Sequence, residues 1–334
     1  MSWTILQLLA GVVVLTAGAE LLVRGAAALA LRFGLSPLAV GLTVVAMGTS
    51  APELVVCVKA ALSGQGGMAI GNAVGSNIFN LAAILGLVAL IRPIACQSTI
   101  IRREIPAMVG ATVLLLPMIF LLGETGAGAA GTLTRPEGAV LLTLAVLYTA
   151  ATLHFARQGR AEVKEEFAAD LLPEQSASAE ELQQSSVLAS LGSLVLGLVL
   201  LVAGAELLVA AAVVIAKLAG MSDLVIGITI IGAGTSLPEL ATSAVAAIRG
   251  ESDIALGNVV GSSIFNILGI LGATVTVQPL PVETGVLMRD LPFVVVLSIL
   301  CWIFTATGRV ISRIEGGVLL AAYLGYIVAL LAGF

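Results

Sequence analysis

Two glutamates stand inside long apolar stretches of this 334-residue sequence, and each closes a similar motif. Glu53 closes GTSAPE and Glu239 closes GTSLPE. A charged side chain at the centre of a membrane helix costs about 2.5–3.5 kcal/mol on the lenient insertion scale, so each carboxylate needs a cation, a proton or a partner. The nearest basic residues, Lys59 and Arg249, lie toward helix ends. An internal salt bridge is therefore a weak explanation for these two glutamates.

Further oxygen atoms surround each glutamate at helical spacing. Thr49 and Ser50 precede Glu53 by four and three residues, so on a helix their hydroxyl groups share its face. Pro52 removes a backbone N–H and thereby leaves carbonyl groups of the preceding turn free to face a central site. Pooled over both motifs and the segments that follow them, the candidate ligands are Thr49, Ser50, Glu53, Ser76, Asn80, Thr235, Ser236, Glu239, Ser262 and Asn266, with the carbonyls near Ala46 and Gly232.

The chemistry of this set favours a hard cation. All candidate ligands are oxygen atoms and two of them carry negative charge, which suits Ca²⁺ above all and also Na⁺. The cysteine and histidine ligands typical of Zn²⁺ or Cu⁺ are missing from the two motifs. Mg²⁺ fits less well because it gives up its bound water reluctantly. The motifs thus predict a cation site at membrane depth.

The composition indicates which elements position these residues. Hydrophobic residues make up 59% of the sequence and charged residues only 10%, which excludes a single soluble domain. About 20 apolar residues span a bilayer as a helix. We therefore predict an all-α polytopic membrane protein with ten transmembrane helices, at about 4 to 30, 37 to 62, 68 to 91, 105 to 123, 138 to 155, 188 to 216, 223 to 248, 254 to 277, 291 to 307 and 315 to 333.

The sequence contains an internal duplication. Residues 17–86 align with residues 203–272 without a gap, and 35 of the 70 pairs are identical. Because five predicted helices separate equivalent positions, the second copy enters the membrane with opposite polarity, as in the inverted repeats of many transporters. We expect a first five-helix repeat at 1–155, an acidic cytoplasmic linker at 156–187 and a second, inverted repeat at 188–334.

The positive charges predict the orientation of the chain. With the N-terminus outside, 11 of the 15 Lys and Arg residues lie on the cytoplasmic side and four lie outside. Both termini are then external and the linker is cytoplasmic. No basic surface invites nucleic acid, and no obligate protein partner is evident. Glu20 and Glu206 occupy equivalent positions in the first helix of each copy, where they either line an ion passage or lie near a water-filled mouth, with Glu20 paired to Arg24.

The repeated segments resemble a known family. GTSAPEL with GTSLPEL, and GNAVGSNIFN with GNVVGSSIFN, are similar to the alpha repeats of the calcium/cation antiporter superfamily, in particular its prokaryotic Na⁺/Ca²⁺ exchanger-like members. The resemblance implies a secondary antiporter of the plasma membrane that works by alternating access, has no enzymatic activity and needs no cofactor. It also implies that the second, third, seventh and eighth helices surround the ions, while the first and sixth slide across them.

The same resemblance implies individual roles. Glu53 and Glu239 would be the shared Ca²⁺ ligands, and Asn80 and Asn266 would complete the centre. The sodium sites would use Thr49, Ser50, Ser76, Thr235, Ser236 and Ser262, with the carbonyls near Ala46 and Gly232.

The coupling ion stays open at the level of sequence. Many relatives have an aspartate at one or both of the positions of Asn80 and Asn266, whereas this chain has two asparagines. One Ca²⁺ or two protons neutralise a site of charge −2, and three Na⁺ leave it at +1. Exchange of Ca²⁺ for Na⁺ is the leading hypothesis, H⁺/Ca²⁺ exchange is the alternative, and a cation channel is a more distant one.

Overall fold

The computed structural model describes residues 2–119, 131–158, 186–221, 230 and 232–332. The helices in this range are α1 (Ser2–Phe33), α2 (Pro37–Thr49), α3 (Ala51–Leu62), α4 (Gly66–Ile91), α5 (Ile100–Glu104 continued by Ile105–Pro117), α6 (Arg135–Gln158), α7 (Val187–Leu218), α8 (Leu237–Ile248), α9 (Ser252–Val277), α10 (Val286–Ala306) and α11 (Arg313–Leu331). The short strands are β1 (Ile94–Ala95), β2 (Gly131–Leu133), β3 (Leu280–Val282) and β4 (Val310–Ile311). A helical turn, Gly232–Gly234, precedes α8.

The prediction of an all-α polytopic membrane protein is confirmed. Seven of the described helices are long and apolar enough to cross a membrane, and the bent pair α2–α3 makes an eighth when it counts as one span. The remaining predicted helices, 105 to 123 and 223 to 248, extend into residues that the structure does not describe. Their total of ten therefore stays a prediction, and most of the linker predicted at 156–187 also lies outside the described residues.

The predicted helix 37 to 62 is broken rather than continuous. The axes of α2 and α3 differ by 43°, and Ser50 stands between them. Pro52 occupies the first turn of α3, where it has no N–H to offer the carbonyl of Gly48. Pro238 has the equivalent place in the first turn of α8, which begins directly after Ser236. The break therefore lies within one turn of the glutamate in each copy.

Helices α1 and α7 pack closely against each other in antiparallel directions. Gly18 lies against Leu201, and Gly25, seven residues later, lies against Leu194, seven residues earlier. A Cβ atom on Gly18 would come within 2.7 Å of the Leu201 backbone nitrogen. Small residues permit such close approach between membrane helices. Helices α1 and α7 carry the matching AGAELLV segments, so these two segments run in opposite directions.

The two copies interlock at the ends of the bundle. Strand β1 pairs with β4 and strand β2 pairs with β3, both antiparallel. Gly86 of α4 packs against Gly316 of α11, and Gly272 of α9 packs against Gly138 of α6. The backbones are so close that a Cβ atom on Gly86 or Gly138 would clash with the facing carbonyl oxygen. Gly86 and Gly272 are separated by the offset of the duplication, 186 residues. Helix α4, which ends the first aligned segment, thus packs on α11, and helix α9, which ends the second, packs on α6.

Helices α5 and α10 begin five residues earlier than predicted, at Ile100 and Val286. The early starts have a common physical cause, since charged residues that suggested a loop are paired. Arg103 donates to Glu104 at 2.6 Å, and the Tyr148 hydroxyl donates to the other oxygen of Glu104 at 2.7 Å. The corresponding residues of the second copy are Arg289, Asp290 and Tyr326. Paired in this way, the charges can lie on buried helical turns.

Candidate cation site

The two glutamate motifs meet inside the bundle. Glu53 lies in the first turn of α3 and Glu239 in the first turn of α8. Their side chains are 0% and 1% exposed, respectively. Helix α3 packs against α4 and α9, and helix α8 does the same. The fold therefore brings residues from both copies to one buried region.

Two reciprocal hydrogen bonds join the carboxylates across the copies. The Ser50 hydroxyl donates to Glu239 Oε1 at 2.8 Å, and the Ser236 hydroxyl donates to Glu53 Oε1 at 3.0 Å. Each serine precedes the glutamate of its own copy by three residues and bonds the glutamate of the other. The two carboxylates consequently belong to one shared site.

The second oxygen of each carboxylate has no hydrogen-bond partner. Glu53 Oε2 and Glu239 Oε2 are buried and unpaired in the described structure. A buried polar atom in this condition loses its water without compensation, so it usually marks a place where an ion or a water binds. Several other predicted ligands have buried and unpartnered atoms, namely Ser76 Oγ, Asn80 Oδ1 and Nδ2, Thr235 Oγ1 and Asn266 Oδ1.

The chemistry of the cluster is that of an oxygen-donor site with two carboxylates. Among the described residues, no group of three His, Cys, Asp or Glu side chains lies close enough together to hold a metal ion. A cation at Glu53 and Glu239 would therefore complete its coordination with hydroxyl, amide and carbonyl oxygens, which are ligands of Ca²⁺ and Na⁺.

The backbone near Ala46 participates in the same network. The Ala46 carbonyl accepts from the Ser262 hydroxyl at 3.4 Å and lies 3.3 Å from the Thr49 hydroxyl. The Thr49 hydroxyl is also 3.1 Å from Asn258 Oδ1. Asn258 Nδ2 donates in turn to the Glu239 carbonyl at 3.3 Å. Helix α9 is thus tied to both glutamate-bearing segments.

Two amide side chains, Asn77 and Asn266, form a hydrogen-bonded pair between α4 and α9. Asn77 Nδ2 donates to the Ser263 carbonyl at 2.9 Å, and Asn77 Oδ1 accepts from Asn266 Nδ2 at 3.0 Å. Asn77 is 1% exposed. This pair links the helix of Asn80 to the helix of Asn266, both of which the sequence proposed as ligands.

The structure brings most of the predicted ligands into this region. Thr235 is half-buried, and Gly232 opens the turn before α8. The predicted residues that are fully buried are Ala46, Thr49, Ser50, Glu53, Ser76, Asn80, Ser236, Glu239, Ser262 and Asn266. The side chains of Ser76 and Asn80 are buried, but no hydrogen bond among the described residues connects them to the network.

Sequence reasoning missed several polar residues of the region, among them Asn258, Asn77 and Thr242. Asn258 recurs as Asn72 at the offset of the duplication, so the repeat itself could have revealed it. Asn77 is replaced in the other copy by Ser263, so repetition gave no signal for it. Thr242, whose buried hydroxyl is unpartnered, likewise has valine as its counterpart.

Glu20 lies apart from this network, and its carboxylate is paired with two arginines. The predicted pairing with Arg24 is confirmed, with Arg24 Nε 3.1 Å from Glu20 Oε1. Arg249, at the end of α8, also donates to Glu20 Oε2 at 2.7 Å. The equivalent carboxylate, Glu206, has Ala210 where Glu20 has Arg24. The residues of the other copy that are equivalent to Arg24 and Arg249 are uncharged. They cannot form the ionic contact that joins α1 to the end of α8.

Fold and site together define a polytopic membrane protein with a buried cluster of carboxylate, hydroxyl and amide groups, as expected of an ion transporter. The sodium/calcium exchanger protein family matches residues 3–153 and 189–332, which is most of the chain. The chain belongs to this family, so it is an ion transporter and not an enzyme. Family membership supports exchange of Ca²⁺ with other cations across a membrane.

Individual relatives agree with this assignment. The chain is 40% identical over 285 residues to the putative antiporter CaxA of Alkalimonas amylolytica, covering 84% of this chain and 83% of that protein. It is 32% identical over 300 residues to the sodium/calcium exchanger MaX1 of Methanosarcina acetivorans, covering 85% of both. The solved structure of the sodium-calcium exchanger NCX_Mj, soaked with Na⁺ and Ca²⁺, superimposes with a TM-score of 0.77 at 32% identity and covers 98% of each chain.

Proposed function

We propose that the chain exchanges Ca²⁺ for Na⁺ as a secondary antiporter with one central site formed by α2–α3, α4, the segment leading into α8, and α9. The observation that carries this proposal is the crossed pairing of Ser50 with Glu239 and of Ser236 with Glu53. It leaves one buried oxygen on each carboxylate without a partner. Ca²⁺ would bind these two oxygens and neutralise the site.

Sodium ions would use the surrounding oxygens. In this proposal Thr49, Ser50, Ser76, Thr235, Ser236 and Ser262, with the Ala46 and Gly232 carbonyls, form the sodium sites, while Asn80 and Asn266 complete the centre. The carboxylates are shared, because a buried site of charge −2 cannot hold a full set of both ions without large repulsion. Sharing of ligands makes binding of Ca²⁺ and binding of Na⁺ mutually exclusive, as antiport requires.

Alternating access would come from the pair α1–α7. This pair has its own packing seam and contacts α2 and α8. We propose that it slides as one body across α2–α3 and α8, exposing the site first to one side and then to the other. The duplication supplies the symmetry, since copies of opposite polarity give similar structures on both sides.

We further propose the organisation and location that the sequence predicts. Residues 1–155 and 188–334 would be inverted five-helix repeats, and residues 156–187 would be a cytoplasmic linker. Both termini would lie outside, in a prokaryotic plasma membrane. The excess of Lys and Arg residues on the side of the membrane that is assigned to the cytoplasm supports this orientation.

Uptake of radioactive Ca²⁺ into proteoliposomes tests the coupling. One set is loaded with Na⁺ at matched pH, and a parallel set is loaded with choline and given an acidic interior. The proposal predicts uptake only with the Na⁺ gradient. Uptake driven by the pH gradient alone would establish H⁺/Ca²⁺ exchange instead, and Ca²⁺ flux that needs no counter-ion would indicate a channel.

A further inference from the structure

We propose that Asn77 is a positioning residue of the cation site, which holds the amide of Asn266 so that Asn266 Oδ1 faces the buried ligands. The inference rests on the proposed function, because it concerns the same site. It assigns a role to a residue that contributes no ligand of its own.

The Ser263 carbonyl determines the direction of the whole chain of hydrogen bonds. A backbone carbonyl can only accept, so the group of Asn77 that faces it at 2.9 Å must be Nδ2. Asn77 Oδ1 is then turned toward Asn266 and requires a donor. Asn266 Nδ2 supplies that donor at 3.0 Å. The remaining atom, Asn266 Oδ1, is buried without a partner and is therefore fixed as an acceptor.

The equivalent described residues of the other copy do not form such a chain of hydrogen bonds. Ser263 occupies the position equivalent to Asn77, and its hydroxyl donates to the Val259 carbonyl of its own helix at 2.8 Å. Asn80, which corresponds to Asn266, has both amide atoms buried and unpartnered. Its amide can present either oxygen or nitrogen to the site. The two asparagines are therefore equivalent in sequence but not in orientation.

A fixed oxygen matters because an amide nitrogen carries positive hydrogen atoms and cannot bind a cation. With Asn77 in place, Asn266 offers its oxygen at no cost in reorientation, which is the benefit of a preorganised site. A carboxylate at position 266 would instead place an acceptor against Asn77 Oδ1. Asn77 thus explains why an amide suits position 266 in this chain.

An exchange of residues between the copies tests the proposal. Asn77→Ser removes the holding amide, and Asn77→Ser with Ser263→Asn moves it to the other copy at constant composition, where it would face Asn80. We expect the concentration of Ca²⁺ for half-maximal uptake to rise about fivefold in the single variant, as for one lost hydrogen bond, with little change in maximal rate. The exchanged variant should recover most of that affinity.

A second comparison separates positioning from general packing. In the wild type, Asn266→Ala should weaken Ca²⁺ affinity more than Asn80→Ala, and in the exchanged variant the order should reverse. A purely structural role for Asn77 predicts no reversal. This comparison remains decisive even if Asn77→Ser alone fails to fold.

The outcomes are distinct from those of the proposed function. Wild-type protein without Na⁺-driven Ca²⁺ uptake would refute the proposed coupling, and the affinities would then be measured by calorimetric titration with Ca²⁺. Unchanged affinity in folded Asn77→Ser, or an unchanged order of the two alanine variants after the exchange, would overturn the role of Asn77.

Discussion

At the scale of single residues, the central fact is that, within the described part of the chain, each buried carboxylate is paired with one neutral donor. A serine hydroxyl donates to one oxygen of Glu53 and of Glu239, and the other oxygen is unpartnered. One neutral hydrogen bond does not offset the cost of burying a full charge. The site therefore needs cations or protons to be stable, and in the proposed mechanism this need couples ion binding to transport.

Removal of either carboxylate should abolish exchange. We expect Glu53→Gln and Glu239→Gln each to lower Ca²⁺ uptake at subsaturating Ca²⁺ by about 100-fold or more. Removal of one partner from a buried contact between charges costs about 2–5 kcal/mol of binding free energy. Both variants keep the shape of the side chain and an acceptor for the serine.

Glu283→Gln is the matched control for this experiment, since Glu283 is exposed and follows β3, away from the cluster. Its uptake should equal that of the wild type. Normal Na⁺-driven uptake by either site variant would remove the glutamates from the mechanism.

Much of the site could be predicted from the sequence, and the omissions have a physical reason. Residues such as Glu53 and Ser50 were found because polar groups are costly in lipid and because they recur in both copies. Asn77 and Thr242 differ between the copies, so only their burial in the folded structure reveals them. The crossed serine–glutamate bonds were not predictable, since helical spacing describes neighbours within one helix only.

At the scale of elements, the α1–α7 seam depends on glycine. The Leu201 backbone lies where a side chain on Gly18 would be, and the same holds for Gly25 with Leu194. Contacts of this kind need no polar groups and allow two helices to move together as one body. The α1–α7 pair is therefore the moving element in the proposed mechanism.

A large residue in the seam should separate the two helices. Gly18→Ile is expected to destabilise the protein by about 1–3 kcal/mol through overpacking and to lower its melting temperature in detergent. Gly192→Ile is the control, because nothing lies within 4 Å of a Cβ atom at Gly192 on α7. Equal melting temperatures for the two variants would contradict the close packing of α1 with α7.

The helices were predictable where apolar residues are continuous, and less so where charges are paired. The starts of α5 and α10 were placed too late because Arg103 and Arg289 suggested loops, whereas Tyr148 and Tyr326 reach the acids beside them from other helices. The strand pairing of Ile94 with Ile311 joins distant parts of the chain, so no local pattern could indicate it.

At the scale of the whole molecule, the interlocked copies make one continuous structure. Helix α11 packs on α4 and helix α6 packs on α9, so each half of the chain covers part of the other. The proposed orientation then fixes which end of the bundle faces the cytoplasm. In that orientation the turn between α3 and α4 is external, and the turn between α10 and β4 is internal.

Labelling of single cysteines tests this orientation. Ser63→Cys and Thr307→Cys place a thiol in an exposed position of each turn. A membrane-impermeant maleimide should label the first in intact cells and the second only after the membrane is opened. The native cysteines should stay silent because all three are buried, and burial raises the pKa of Cys96 to about 12. Labelling of Thr307→Cys but not Ser63→Cys in intact cells would invert the topology.

The most direct test of the central claim is a crystal structure of the transport-active protein soaked with Ca²⁺, with anomalous scattering used to locate the ion. The account predicts one strong peak bound by Glu53 Oε2 and Glu239 Oε2, which disappears when the soak contains saturating Na⁺ without Ca²⁺. A Ca²⁺ peak bound elsewhere, or no peak between the two glutamates at saturating Ca²⁺, would contradict it.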